Sequence, residues 1–237
     1  TDNSAFAIQS GLNVNNLNLT AGGTVTDAGN IDIDGTLTVS ATGEAVTLDG
    51  AGNDVTGAVT LTGAAITLED TTATVIAGIT ATGALSVTSG GPITQSGAID
   101  ADLTSGFTAG ANAITLTDSA NDFTGAVSLS NSGANDAEVT DANAIDFGTV
   151  GVGGNLAVIA GGAITDSGVV SVSGTSSFNN VAGTNAAIDL GSASTYTGNV
   201  TFTTDAASNV TINDSTAFEI QSGLNVNNLN LTAGGTV

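Results

Sequence analysis

Lysine, arginine and histidine are missing from all 237 residues, and so are cysteine, methionine and tryptophan. Every one of the 22 formal charges is therefore a carboxylate, and the net charge is −22. Each absence removes a class of function. Without cations the chain cannot neutralise phosphates, which excludes nucleic acid as a partner and disfavours an anionic membrane surface. Without His, Cys or Lys the usual nucleophile and general-base pairs cannot be assembled. Without cysteine there is no disulfide framework. Without Lys or Arg a trypsin-like protease finds no bond to cut. No apolar run approaches the roughly 20 residues of a spanning helix, so no transmembrane segment is predicted. The first residues carry no basic-then-apolar targeting signal. Aromatics are 3% of the chain, and its one proline is Pro92, placed at a turn just before a strand.

What remains is well suited to short strands. Hydrophobic residues are 41% against 9% charged, so the chain can build a core and is not a charge-driven disordered polymer. There are 33 glycines to turn corners. The dominant feature is repetition. Ala5–Val25 returns as Ala217–Val237, at an offset of 212, with one difference, Ala7 against Glu219. Within that period Leu17-Asn-Leu-Thr-Ala-Gly-Gly recurs in weaker form from Leu85 and Leu156 and again from Leu229, at intervals of 68, 71 and 73. These mark modules 17–84, 85–155 and 156–228, with 1–16 and 229–237 as parts of adjacent modules in one continuous unit over 1–237.

Nearly every apolar cluster has the form apolar-x-apolar, a period of two over three to five residues, and no segment keeps a helical stripe. About nine clusters per module predict an all-β, parallel β-helix with three strands and about 23 residues per coil, about nine coils per period. One such coil buries too little to fold alone, so coils must stack. This division puts Leu17, Leu85, Leu156 and Leu229 in one inward column, at steps of about 14 Å. It also points Phe6, Phe123, Phe147, Phe202 and Phe218 into the core.

Asn155-Leu-Ala-Val-Ile-Ala-Gly-Gly-Ala-Ile-Thr-Asp-Ser-Gly168 and the Asn-Asp-x-Thr-Gly-Ala-Val segments at 53–59 and 121–127 resemble the repeats of filamentous-haemagglutinin-type adhesins and related giant bacterial surface proteins. The resemblance covers essentially the whole chain. It implies a right-handed β-helix, export across a bacterial envelope, and a place in an extended stalk or adhesive fibre. That family's amino-terminal secretion domain has no counterpart here.

Paired carboxylates are the enzymatic option left. Asp32 with Asp34, and Asp100 with Asp102, each have one face of a strand to themselves. With no cation to hold an acidic sugar, they read as solvated outward residues, so no catalytic residue and no enzyme is expected. The same four are the candidate metal ligands, because calcium collects several oxygens. The Gly-rich nonapeptide of calcium-binding β-rolls is absent. Asp32 and Asp100 are expected in equivalent columns three coils apart, about 14 Å, too far to share an ion. Ser171 and Ser173 stand there in the third module. No organic cofactor is expected; calcium or diffusely held divalent cations are the one ligand class admitted.

The expectation for function is a structural segment of a long extracellular, cell-surface β-solenoid fibre, partnered by copies of itself end to end. The alternative is a solenoid binding module for a glycan or protein on a host or neighbouring cell. A polysaccharide-degrading β-helix enzyme is the third and weakest reading.

Overall fold

The computed structural model describes residues 4–180, 185–217, 219–220 and 224–236. Phe218, expected in the core, lies outside them. The described residues form strands and turns without a helix. Alternation sets the inside from the outside. In Val46–Leu48 and Leu37–Ser40 the apolar residues are buried and the intervening Thr47 and Thr38 are half-buried, as a pleated strand with one face on a core requires.

Two long sheets face each other, and every strand pair in them is parallel. The first sheet steps from Phe6–Ile8 through Val25–Asp27, Val46–Leu48, Ile66–Asp70, Leu85–Ser89 and Ser105–Thr108, and ends at Asn209–Asp214 and Asn228–Ala233. The second steps from Leu17–Thr20 through Leu37–Ser40, Ala58–Gly63, Thr74–Ala81, Ile93–Gln95 and Ile114–Leu116 to Val200–Thr203. The chain alternates between them, so each return to a sheet is one coil of a β-solenoid. Coil length varies: Leu61 pairs with Ile79 across a short coil, and Ile164 with Ile188 across a long one. A coil is on average about 20 residues rather than about 23, and there are about 11 of them. One apolar cluster runs through the stack from Ile8 to Ile212. Phe123, Phe147 and Phe202 are in it as expected, and Phe6 packs against it.

The three-strand coil is correct for part of each module and incomplete for the rest. Short third strands stack three deep on one edge. Leu12–Val14, Ile31–Ile33 and Asp54–Val55 form the first stack, on the edge leading from the first sheet to the second. Residues 79–81, 99–101 and 122–123 form the next, on the edge leading back. Residues 150–152, 170–172 and 195–196 form the third, on the first edge again. Between stacks the chain crosses from sheet to sheet directly, as at 71–73 and 142–144. That crossing adds half a coil, so a module holds seven long-face positions and three and a half coils; in the third module the seventh position is the single bridge of Ile220 to Val200.

Two expectations change in consequence. A 212-residue period is ten and a half coils rather than nine. The recurring leucines do not share a column: Leu17 and Leu156 lie in the second sheet, Leu85 and Leu229 in the first. Apolar clusters of period two show that strands alternate inside and outside, but not which edge of the solenoid they occupy.

Close stacking leaves no room for a side chain at some corners. Gly154, Gly174 and Gly198 lie over one another, each N–H of the upper pair bonding the carbonyl of the glycine a coil earlier. A Cβ added at Gly198 would sit 2.5 Å from the Gly174 carbonyl oxygen. At Gly106, in mid-strand, the nearest atom to an added Cβ is 3.9 Å away. Gly198→Ala is therefore expected to lower unfolding free energy by about 1–3 kcal/mol through overpacking, and Gly106→Ala to leave it unchanged or raise it by up to about 1 kcal/mol. Denaturant unfolding of the two variants checks this; equal effects would contradict the stacking.

Candidate functional site

The four acidic residues picked out by the sequence do not form one site. Asp32 and Asp100 are outward residues of edge strands, and Asp34 and Asp102 stand in the exposed turns that follow. Asp32 and Asp100 occupy the two opposite edges, so the expected common column does not exist. Each is instead in register with an acid on the next coil, Asp32 with Asp54 and Asp100 with Asp122. Ser171 holds the corresponding place in the third stack, beside Thr195. Two carboxylates about 5 Å apart in water repel by about 1 kcal/mol. The Asn13 amide donates to Asp32 at 2.6 Å. Among the described residues no three acidic side chains gather as a metal ion needs. A shallow groove passes Asn131, Gly133, Gly151, Gly153, Ser171 and Ser173, and no carboxylate lines it.

The chemistry of the carboxylates lies in a second set, which the sequence reading passed over. Asp70, Asp141 and Asp214 are almost fully buried, once per module, at the direct crossing that follows each edge stack. Each does the same two tasks. One oxygen accepts from the last edge strand of the coil before: Val55 N–H to Asp70 at 3.3 Å, Phe123 N–H to Asp141 at 3.3 Å, Tyr196 N–H to Asp214 at 3.2 Å. The other turns the local chain by accepting from the residue two on, Asn143 N–H to Asp141 and Thr216 N–H to Asp214, both at 2.8 Å. In Asp70 one oxygen serves both Val55 and Thr72, and the second takes the Thr74 hydroxyl. The acid therefore replaces the backbone carbonyl that the missing fourth edge strand would have supplied.

A matching group begins each stack's second interval. Ile31 N–H donates to the Asn53 side chain at 3.0 Å, Ile99 N–H to Asn121 at 2.9 Å, and Val170 N–H to the Ser194 hydroxyl at 3.0 Å. Asn53 in turn donates to Asp27 at 2.7 Å, and Asn121 to Gln95 at 2.9 Å. The sequence signal was available: Asp27, Gln95 and Asp166 share one module position, and Asp70, Asp141 and Asp214 share another.

Burial raises the carboxyls of Asp70 and Asp166 above the ordinary range, against the pull of the N–H and hydroxyl donors on each. Burial pushes Asp141 up to about 6; the Asn143 and Phe123 N–H groups oppose it, and the Asp122 carboxylate adds to it. With no cation in the chain, nothing offsets these costs by pairing.

A family model described as repeats of unknown function (DUF5649) matches residues 1–62, 63–130 and 134–206. Neither a curated protein nor a solved structure matches the chain.

The titration of Asp141 sets a pH dependence of stability. Its folded-state value, about 6, is above the usual carboxylate value near 4. The fold therefore favours the protonated form. Its contribution is complete below about pH 4 and is lost as pH rises through 6, a difference on the order of 1–2 kcal/mol once solvent screening is allowed for. The chain is expected to melt at higher temperature at pH 4.5 than at pH 7.5, and Asp141→Asn to flatten part of that slope. Melting that is level across this range, or an unchanged slope in the variant, would contradict the assignment.

Proposed function

The chain belongs to the DUF5649 family of repeats, and on that footing we propose that it is a structural segment of a long, extracellular, tandem-repeat β-solenoid fibre, serving as a stalk, spacer or filament body on a cell surface. The observation that carries this reading is the near-identical 21-residue segment met twice at an offset of 212. Both copies supply rungs of one solenoid, Leu17–Thr20 and Asn228–Ala233. A sequence that repeats while the coil keeps winding adds length without adding a new site.

Other features agree with it. Among the described residues the aromatics lie in the core or, as Phe6 does, pack against it: Phe178 stacks on Phe202 at 5.8 Å and meets Tyr196 edge-on at 6.0 Å, and all three are buried. No helix among the described residues is long and apolar enough to cross a membrane. The resemblance to filamentous-haemagglutinin-type repeats supports placement outside a bacterial cell and an adhesive setting. The composition offers proteases that require Lys or Arg nothing to cut, which suits an exposed fibre. We read the chain as a non-enzyme.

The test is length. Chains carrying one, two and three copies of the 212-residue unit should appear by electron microscopy as rods of constant width. Each added unit should lengthen the rod by about 50 Å, at about 4.8 Å per coil. Antibody against the chain should also label intact cells. Particles that widen or fold back with copy number, or staining only after the cells are opened, would contradict the reading.

A further inference from the structure

Two aspartates stand directly before glycine, Asp34 and Asp49, and no asparagine does. An Asp–Gly bond carries a reaction of its own. The glycine amide nitrogen, with no side chain beside it to hinder approach, attacks the carboxyl carbon of the aspartate. A C–N bond forms, the nitrogen gives up its proton, and one carboxyl oxygen leaves as water. The product is a five-membered cyclic imide, which water reopens. Opening at the former side-chain carbonyl restores aspartate. Opening at the former main-chain carbonyl leaves isoaspartate, with the chain running through the side chain. The water lost in the first step is regained in the second, so no co-reactant is needed.

Both sites are crowded corners on the edge leading from the first sheet to the second, and both aspartates are exposed. A Cβ on Gly35 would meet the Asn15 carbonyl oxygen, and one on Gly50 would lie 2.7 Å from Asn53 Oδ1 and 2.9 Å from Asp27 Oδ2. Packing therefore does not separate the two. Hydrogen bonding does. The Asp27 carboxylate accepts the Asp49 N–H at 3.2 Å and the Gly50 N–H at 3.0 Å. The attacking nitrogen of that site is tied down, and it faces a negative charge where it has to lose a proton. At the other site the Asp34 N–H donates to the Val14 carbonyl at 3.1 Å, and the Thr36 N–H to Asn16 Oδ1 at 2.8 Å. Between them the Gly35 N–H has no hydrogen-bond partner among the described residues. Gly174, at the same place in the third stack, does donate, to the Gly154 carbonyl at 2.8 Å.

We propose that Asp34–Gly35 is a self-modification site, converted to isoaspartate without an enzyme, and that Asp27 protects Asp49–Gly50 from the same change. The extra main-chain carbon would enter a corner that has no room for it: a Cβ on Gly57, one coil on, would meet the Gly35 carbonyl oxygen. Isoaspartate at 34 therefore loosens the corner that starts Leu37–Ser40. The inference goes beyond the fibre reading and does not depend on it.

The folded chain is incubated at neutral pH in water enriched in heavy oxygen, so that each ring opening leaves a labelled oxygen. It is then cut with a protease that needs neither Lys nor Arg and weighed peptide by peptide. The Asp34 peptide should gain label about tenfold faster than the Asp49 peptide, the effect of one hydrogen bond to a charged group. A growing share of it should elute as the isoaspartyl form. Asp34→Asn and Asp49→Asn chains give a faster second readout, since each forms the same imide with loss of ammonia. Deamidation should be faster at 34 in the folded chains, and the two rates should converge in urea. Equal rates at the two sites in the folded chain, a faster rate at 49, or label that enters the Asp34 peptide only in urea would overturn the proposal.

Discussion

Each coil of this solenoid can satisfy its backbone only through the coils on either side. A parallel ladder spaced about 4.8 Å apart ties each strand's pairing to its neighbours, and its register shifts at only a few points, such as between Ile76 and Gly78. Where an edge stack ends, a buried acid supplies the missing backbone partner, and at some close corners there is room only for glycine. The buried acids at Asp70, Asp141 and Asp214 and the glycine column at Gly154, Gly174 and Gly198 are two answers to that one requirement.

Choosing carboxylates for the task has a consequence for the whole molecule. An acid buried beside amide donors is held by hydrogen bonds rather than by a counter-charge, because the chain contains no cation. Other acids stand in turns, in register along the edges, as Asp32 does with Asp54, or on the long faces, as Glu69, Glu138 and Asp146 do. Charge is thus of one sign throughout, and protonation relieves it without ever reversing it. A solenoid built this way is expected to gain stability from mild acid, which protonates its buried carboxyls, and from salt, which screens the like charges of its surface.

The sequence disclosed the class of fold but not its winding. Apolar-x-apolar clusters and a fixed offset are enough to require stacked parallel coils, and Phe123 and Phe147 went into the core as their pattern demands. The error lay in assuming that a repeating module closes a whole number of coils. Leu17 and Leu85 look alike because each begins a module, yet they sit on opposite sheets. Nothing local to either residue records the extra half coil; it follows from the direct crossing at 71–73. The same error paired Asp32 with Asp100. Asp70 escaped notice for another reason. An acid is ordinarily expected at the surface, and its donors, the Val55 N–H on the coil before together with Thr72 and Thr74, explain why this one is buried.

One module advances the solenoid by three and a half coils. Thr47 and Thr115 hold the same position in the first and second modules, each between two buried residues. Spin labels on Thr47→Cys/Thr115→Cys would report their separation by pulsed electron resonance. If modules closed three whole coils, the labels would lie in one column about 14 Å apart. With three and a half, they lie on opposite faces of a two-sheet slab about 10 Å thick and about 17 Å apart along the axis, so the distance must exceed about 20 Å. A distribution centred beyond that value is the result predicted here; one centred at the shorter, single-column distance would contradict it.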